Sequence, residues 1–167
     1  MKRRVLLLCA VAGMLGGAAV AHSTTAPTGL PNHDAIFGGG KFDFPGTTLV
    51  RNFSLTARRD GERGEGTLQY QRFTVEVTCV RIDGNAGVIG GILRSSPGGM
   101  VGGPAAMYFV DNGEPVGAAV GGDAVSALIL IGPGEDPGGL PSSCPAVDRS
   151  QATQPLYAGD VVVHAGQ

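Results

Sequence analysis

The plainest pattern in the chain is a strict alternation between residues 73 and 79. Phe73, Val75, Val77 and Cys79 are apolar, and Thr74, Glu76 and Thr78 between them are polar. A period of two is that of a strand with one buried and one wet face. Phe53, Leu55 and Ala57 alternate with Ser54 and Thr56 in the same way. Lys41–Phe44, Thr67–Tyr70, Ala86–Leu93, Met107–Val110, Asp123–Ile131 and Gly159–His164 complete the predicted strands. Gly90-Gly91 inside the fifth of these marks a bulge or a close backbone approach. Val80 and Ile82 fall out of the alternation that precedes them, near a turn expected at Asp83-Gly84-Asn85.

The polar stretches divide these strands. Residues 58–66 read as a charged hairpin connection, and 95–104 and 132–146 as loops rich in Gly and Pro. Asp111-Asn112-Gly113-Glu114 reads as a tight hairpin turn, because Asn-Gly is the strongest two-residue hairpin signal. Pro45-Gly46 punctuates the first strand. No long amphipathic helical pattern is present. The expected fold is all-β: about eight strands in one antiparallel meander, closed as a sandwich or a small barrel.

The first residues differ from all of this. Lys2, Arg3 and Arg4 precede an apolar run from Val5 to Leu15, and small residues lead to Ala19-Val20-Ala21. A basic head, a short apolar core and a small-x-small site make a secretory signal, expected as a helix over residues 1–21. The core is too short to span a bilayer, which takes about 20 residues. Cleavage is expected after Ala21, leaving no stable membrane span. Residues 22–35 read as a flexible lead, and 36–167 as a single β domain. The protein is expected to be secreted or associated with the cell envelope.

Composition supports that division. Of 167 residues, 29 are Gly and 11 are Pro, which suits short strands joined by tight turns. Losing the leader removes three of 12 basic side chains against 14 acidic ones, so the exported chain carries a net charge of about -5. A mildly acidic protein is a poor partner for nucleic acid or anionic lipid. Cys9 leaves with the leader. Cys79 and Cys144 remain, and in an oxidising compartment two cysteines read as one disulfide; two free thiols are the alternative. A ring of this size is worth roughly 4 kcal/mol on loop-closure entropy.

Candidate chemistry is sparse. His22, His33 and His164 have no ligand spacing, and no cofactor or metal is expected. No Gly-x-Ser-x-Gly elbow surrounds Ser54, Ser95, Ser96, Ser126, Ser142, Ser143 or Ser150. Asp111 with Glu114, and Glu62 with Glu65, are carboxylate pairs at turns, where such residues ordinarily serve the turn or the solvent. Asp111, Asn112 and Glu114 are the least unsuitable calcium ligands, yet calcium takes six to eight oxygens. Gly38-Gly39-Gly40 has no Lys-Ser or Lys-Thr after it and opens no helix, so it is not a phosphate loop.

Several pieces together resemble a family of small secreted actinobacterial proteins of unknown function, similar to post-COAP-type extracellular domains. They are the leader, Gly38-Gly39-Gly40, Gly66-Thr67-Leu68-Gln69-Tyr70, Cys79-Val80-Arg81-Ile82-Asp83-Gly84-Asn85-Ala86 and Val110-Asp111-Asn112-Gly113-Glu114-Pro115. The resemblance covers about residues 36–131. It implies an all-β domain and supplies no catalytic residues. The expected function is that of a secreted, non-enzymatic β-domain that binds an extracellular or envelope partner or takes part in envelope structure. A carrier of a small apolar ligand and an extracellular hydrolase using surface carboxylates are the alternatives.

Overall fold

The structure is a computed structural model that describes residues 33–44, 46–47, 49–113, 122–131 and 144–166. The leader, His22, Glu114, Ser142 and Ser143 lie outside the described residues. The chain forms one mostly antiparallel sheet curled into a half-barrel. Its strands are β1 (Ala35–Asp43), β2 (Val50–Asp60), β3 (Arg63–Tyr70), β4 (Phe73–Asp83), β5 (Ala86–Ser95), β6 (Pro104–Val110), β7 (Ala124–Val125), β8 (Ile129–Leu130), β9 (Gln154–Pro155) and β10 (Ala158–His164). A single 3-10 turn covers Arg149–Gln151.

The first six strands are a meander, as the sequence predicts. The order then departs from one: β10 returns to pair with β1, and β9 pairs with β7. The first strand also starts earlier than its apolar pattern suggests. Gly38-Gly39-Gly40 lies inside β1, between β10 and β2. A side chain at Gly38, at φ 143°, would put its Cβ 2.2 Å from the Asp160 carbonyl oxygen. Glycine lets β1 and β10 approach there. The charged residues 58–66 are mostly strand as well. They form a two-residue turn at Gly61-Glu62, because the ladder from Arg58↔Glu65 to Asp60↔Arg63 needs only backbone groups.

The predicted strand over Asp123–Ile131 is broken. β7 and β8 both pair with β6, at Phe109↔Val125 and Ala106↔Ile129. Three residues, Ser126 to Leu128, stand opposite two on β6, so the run bulges. The buried Ser126 hydroxyl spans the break. It accepts a hydrogen bond from the Tyr108 N–H at 2.9 Å and donates to the Ala127 carbonyl at 2.7 Å. The Asn-Gly turn differs from expectation too. Val110 pairs with Ala124, so residues 111–123 separate the paired strands in place of a two-residue hairpin turn.

The concave face holds the core. Phe53 and Leu55 of β2, Leu68 and Tyr70 of β3, and Val75 and Val77 of β4 face Ile89, Leu93, Met107 and Phe109 of β5 and β6. The Phe53 and Phe109 rings lie 6.0 Å apart, so opposite walls meet through aromatic side chains. Val75 and Val77 are buried, as the alternation predicts.

Cys79 does not continue their inward series. The β4–β5 register jumps from Val77↔Gly91 to Cys79↔Gly90, leaving Thr78 as the extra residue. The bulge inverts the pleat. Val80, paired with Ile89, and Ile82 then turn to the core, and Cys79 turns to the convex face. That is why Val80 and Ile82 break the sequence pattern. Gly64 is part of the same feature: a Cβ there would lie 2.5 Å from the Cys79 main chain.

Candidate functional site

The bulge aims Cys79 outward, and the structure joins it to Cys144 with Cα atoms 5.4 Å apart. This separation lies within the range a disulfide requires. The chain after Cys144 runs over the β4–β5 hairpin. Cys144 Sγ lies 3.8 Å from the Val88 carbonyl oxygen, and the Arg149 guanidinium donates to Asn85 Oδ1 at 2.6 Å and to the Asp83 carbonyl at 3.1 Å. Asp148 caps the turn that presents Arg149, accepting from the Ser150 N–H at 3.0 Å and its hydroxyl at 2.7 Å. Those bonds and one from Gln151 hold the Asp148 carboxyl below the usual range. This strap explains why β5 is buried on both faces, with Ala86 and Val88 sealed from solvent outside the core cluster.

The two ends of the curled sheet meet at a seam. There the free edge of β10 faces β6 and β7 without a ladder. Its N–H groups are taken by carboxylates: Val161 N–H donates to Asp123 Oδ2 at 2.7 Å, and Val163 N–H to Asp111 Oδ2 at 3.1 Å. Asp123 is 5% exposed, and its other oxygen accepts from the Asn112 N–H at 2.9 Å. Burial pushes its pKa up to about 6, and the neighbouring Asp160 carboxyl adds to the rise; the Val161 and Asn112 N–H groups oppose it. Asp111 also accepts from the Gly113 N–H at 2.9 Å. Both Asp111 oxygens are therefore engaged by backbone donors. Among the described residues no group of three or more His, Cys, Asp or Glu side chains converges to hold a metal.

The convex face of β2, β3 and β4 carries an open groove of about 1010 Å³, lined by Thr56, Arg58, Glu65, Thr67, Glu76 and Thr78 among others. Arg58 pairs with Glu65 across the β2–β3 ladder, and Arg94 with Glu76 at 2.5 Å across β4–β5. These pairs are exposed. Glu62 lines the same groove, and Glu65 is held by Arg58. His33 is exposed before β1, and His164 ends β10 beside Ala35. Ser54 and Ser95 face solvent, Ser126 is spent on the β6 ladder, and Ser150 on the cap.

Sequence reasoning missed Asp123, the most perturbed carboxyl in the described chain. Its one signal was an acid at the head of an otherwise apolar run. At the opposite end of the sheet, Arg51 faces inward at the mouth of the half-barrel, its guanidinium 5.2 Å from the Phe44 ring centroid. Tyr70 nearby is raised by burial, partly offset by a hydrogen bond from the Leu128 main chain and by the Arg51 charge.

Compared with protein-family models, curated proteins and solved structures, the chain finds no match. The resemblance to small secreted actinobacterial domains therefore rests on the sequence pieces alone.

Proposed function

We propose that the protein is an exported, non-enzymatic β-domain that acts through its outer surface, as a binding or structural module of the cell envelope. The packing of the interior carries this reading. Phe42, Phe53, Tyr70, Phe109, Leu68 and Met107 occupy the space that a carrier would keep for its ligand. The buried polar groups Asp123 and Ser126 are engaged in closing the sheet. With its seam bridged by side chains, the half-barrel is better read as a small barrel than as a sandwich, since one continuous path of strands surrounds one core. Export rests on the leader and suits the Cys79–Cys144 pair.

The test is affinity capture from the producing organism's envelope with the purified exported protein, alongside native mass spectrometry. A specifically retained envelope component is expected, with the protein itself free of small ligand. An apolar compound bound at unit stoichiometry would replace this reading with the carrier.

A further inference from the structure

The large apolar side chains that stand out from the described surface are Leu49 at 54%, Val50 at 49%, Met100 at 55%, Val101 at 60%, Leu130 at 38% and Tyr157 at 55% exposed. Exposed singly, such residues mean little. These six share one end of the sheet. Leu49 ends the β1–β2 connection and Val50 opens β2, where it pairs with Asp43. Met100 and Val101 sit in the β5–β6 loop, whose base is closed by the Leu93 N–H on Gly103 and the Gly102 N–H on Leu93. Leu130 pairs with Ala105 at the start of β6, and the Tyr157 N–H donates to the Lys41 carbonyl near the end of β1. By strand direction all four places lie at the same rim. The opposite rim, with the turns after Asp60 and Asp83 and the Asp111 segment, exposes no large apolar side chain among its described residues.

Charge is divided between the rims as well. Around the apolar one stand Lys41 and Arg72, both exposed, and the Arg51 guanidinium in the mouth. Arg94 is neutralised by Glu76, which leaves Asp43 as the acid among the described residues there. Among the described residues this rim is net positive, on a chain whose overall formal charge is negative. The acidic composition that argues against anionic lipid is an average over a surface that is not uniform. Protruding aliphatic tips among cations fit an interface between apolar chains and anionic headgroups. A second copy docked rim to rim would bring two surfaces of like net charge together.

Resting on the reading of the protein as exported, we propose that this rim seats it on an anionic lipid surface. The Met100-Val101 and Leu49-Val50 tips enter the headgroup layer, and Lys41, Arg51 and Arg72 meet the phosphates.

The experiment is vesicle co-sedimentation of the exported protein with phosphatidylcholine alone and with phosphatidylcholine–phosphatidylglycerol. Expected is binding about tenfold stronger to the anionic vesicles and weakened by salt. Replacing Met100→Asp and Val101→Asp together should reduce it about tenfold, and Lys41→Glu with Arg72→Glu should abolish the preference for phosphatidylglycerol. All four positions are exposed, and an unchanged urea midpoint verifies that each variant is folded. No sedimentation with anionic vesicles, or equal sedimentation of wild type and variants, overturns the proposal. So does a dimer in sedimentation velocity that the Met100/Val101 variant dissolves while vesicles bind neither form. Intact mass of the same sample reads export separately: a chain starting at His22 keeps that reading even if the vesicles fail.

Discussion

The wall from β2 to β5 and the seam between β10 and β6–β7 do the same job by different means. In the wall, neighbouring strands satisfy each other's backbone groups, and the alternating apolar side chains only have to fill the concave face. At the seam the strands do not form a ladder. Asp123 and Asp111 reach across to the N–H groups of Val161 and Val163 instead. The lesson is that this sheet closes on two carboxylate side chains, whereas backbone groups alone make the ladders of the wall. A neutral ladder bond is worth about 1 kcal/mol net, and one to a charged acceptor about 1.5–3 kcal/mol, so few are needed.

The largest expected effect lies in the wall. Val77→Asp puts an unpaired charge into the core and should cost about 3–4 kcal/mol in urea unfolding. The same change at Thr78, the half-buried bulge residue, should cost much less. Equal losses would show that the assignment of Val77 to the core and Thr78 to the other face is wrong.

Next is the strap that leads the chain to β9 and β10. Replacing Cys79 and Cys144 together with Ala should cost about 2–4 kcal/mol, less than the entropic figure if the reduced chain retains structure. Hydrogen exchange should rise first at Ala86–Gly90, beneath the strap. In the denatured, unreduced wild-type protein, thiol titration should find no reactive thiol from this pair; two would remove the staple.

The seam itself comes third. Asp123→Ala strands the Val161 and Asn112 N–H groups and should cost about 2–3 kcal/mol. Exchange at Val161 should rise above exchange at Val75. If both rise together, seam and wall are one cooperative unit.

The pH dependence distinguishes the two regions most cleanly. The Asp123 carboxyl ordinarily titrates near 3.8 and is raised to about 6 in the fold. The folded state then binds the extra proton, so this group's contribution to stability is complete below 3.8 and is lost as pH rises through about 6. The urea midpoint of wild type should fall across that window relative to Asp123→Asn, whose profile lacks this component. Parallel profiles would mean that Asp123 is not raised.

How much of this was legible can be read residue by residue. Val75, Val77, Phe53 and Leu55 were assigned correctly to the core from alternation, because period two is a property of each strand by itself. Cys79 was assigned to the wrong face. A bulge at Thr78 is decided by how β4 meets β5 and by the close approach of Gly64, neither of which is local to β4. The strands in residues 35–40 and 58–66 were missed because Gly38-Gly39-Gly40 and the charges around Glu62 hide them, although a backbone ladder does not require apolar side chains. Asp111 was read as a turn residue, and Asp123 as the start of a strand. Nothing near them in the chain announces β10, which lies 38 residues beyond Asp123 at the Val161 contact.

By itself, then, the sequence determined the all-β class, the concave apolar face of the central strands, the leader pattern and the pair of cysteines available for a bond. All of these are properties of short windows or of composition. Tertiary structure decided which strand returns to β1, which face Cys79 takes, that Asp123 would be buried, and that Leu49, Met100, Leu130 and Tyr157 would share a rim. Each of those depends on segments far apart in the chain being brought together, and such proximity follows from closing the sheet and not from the pattern of any one strand.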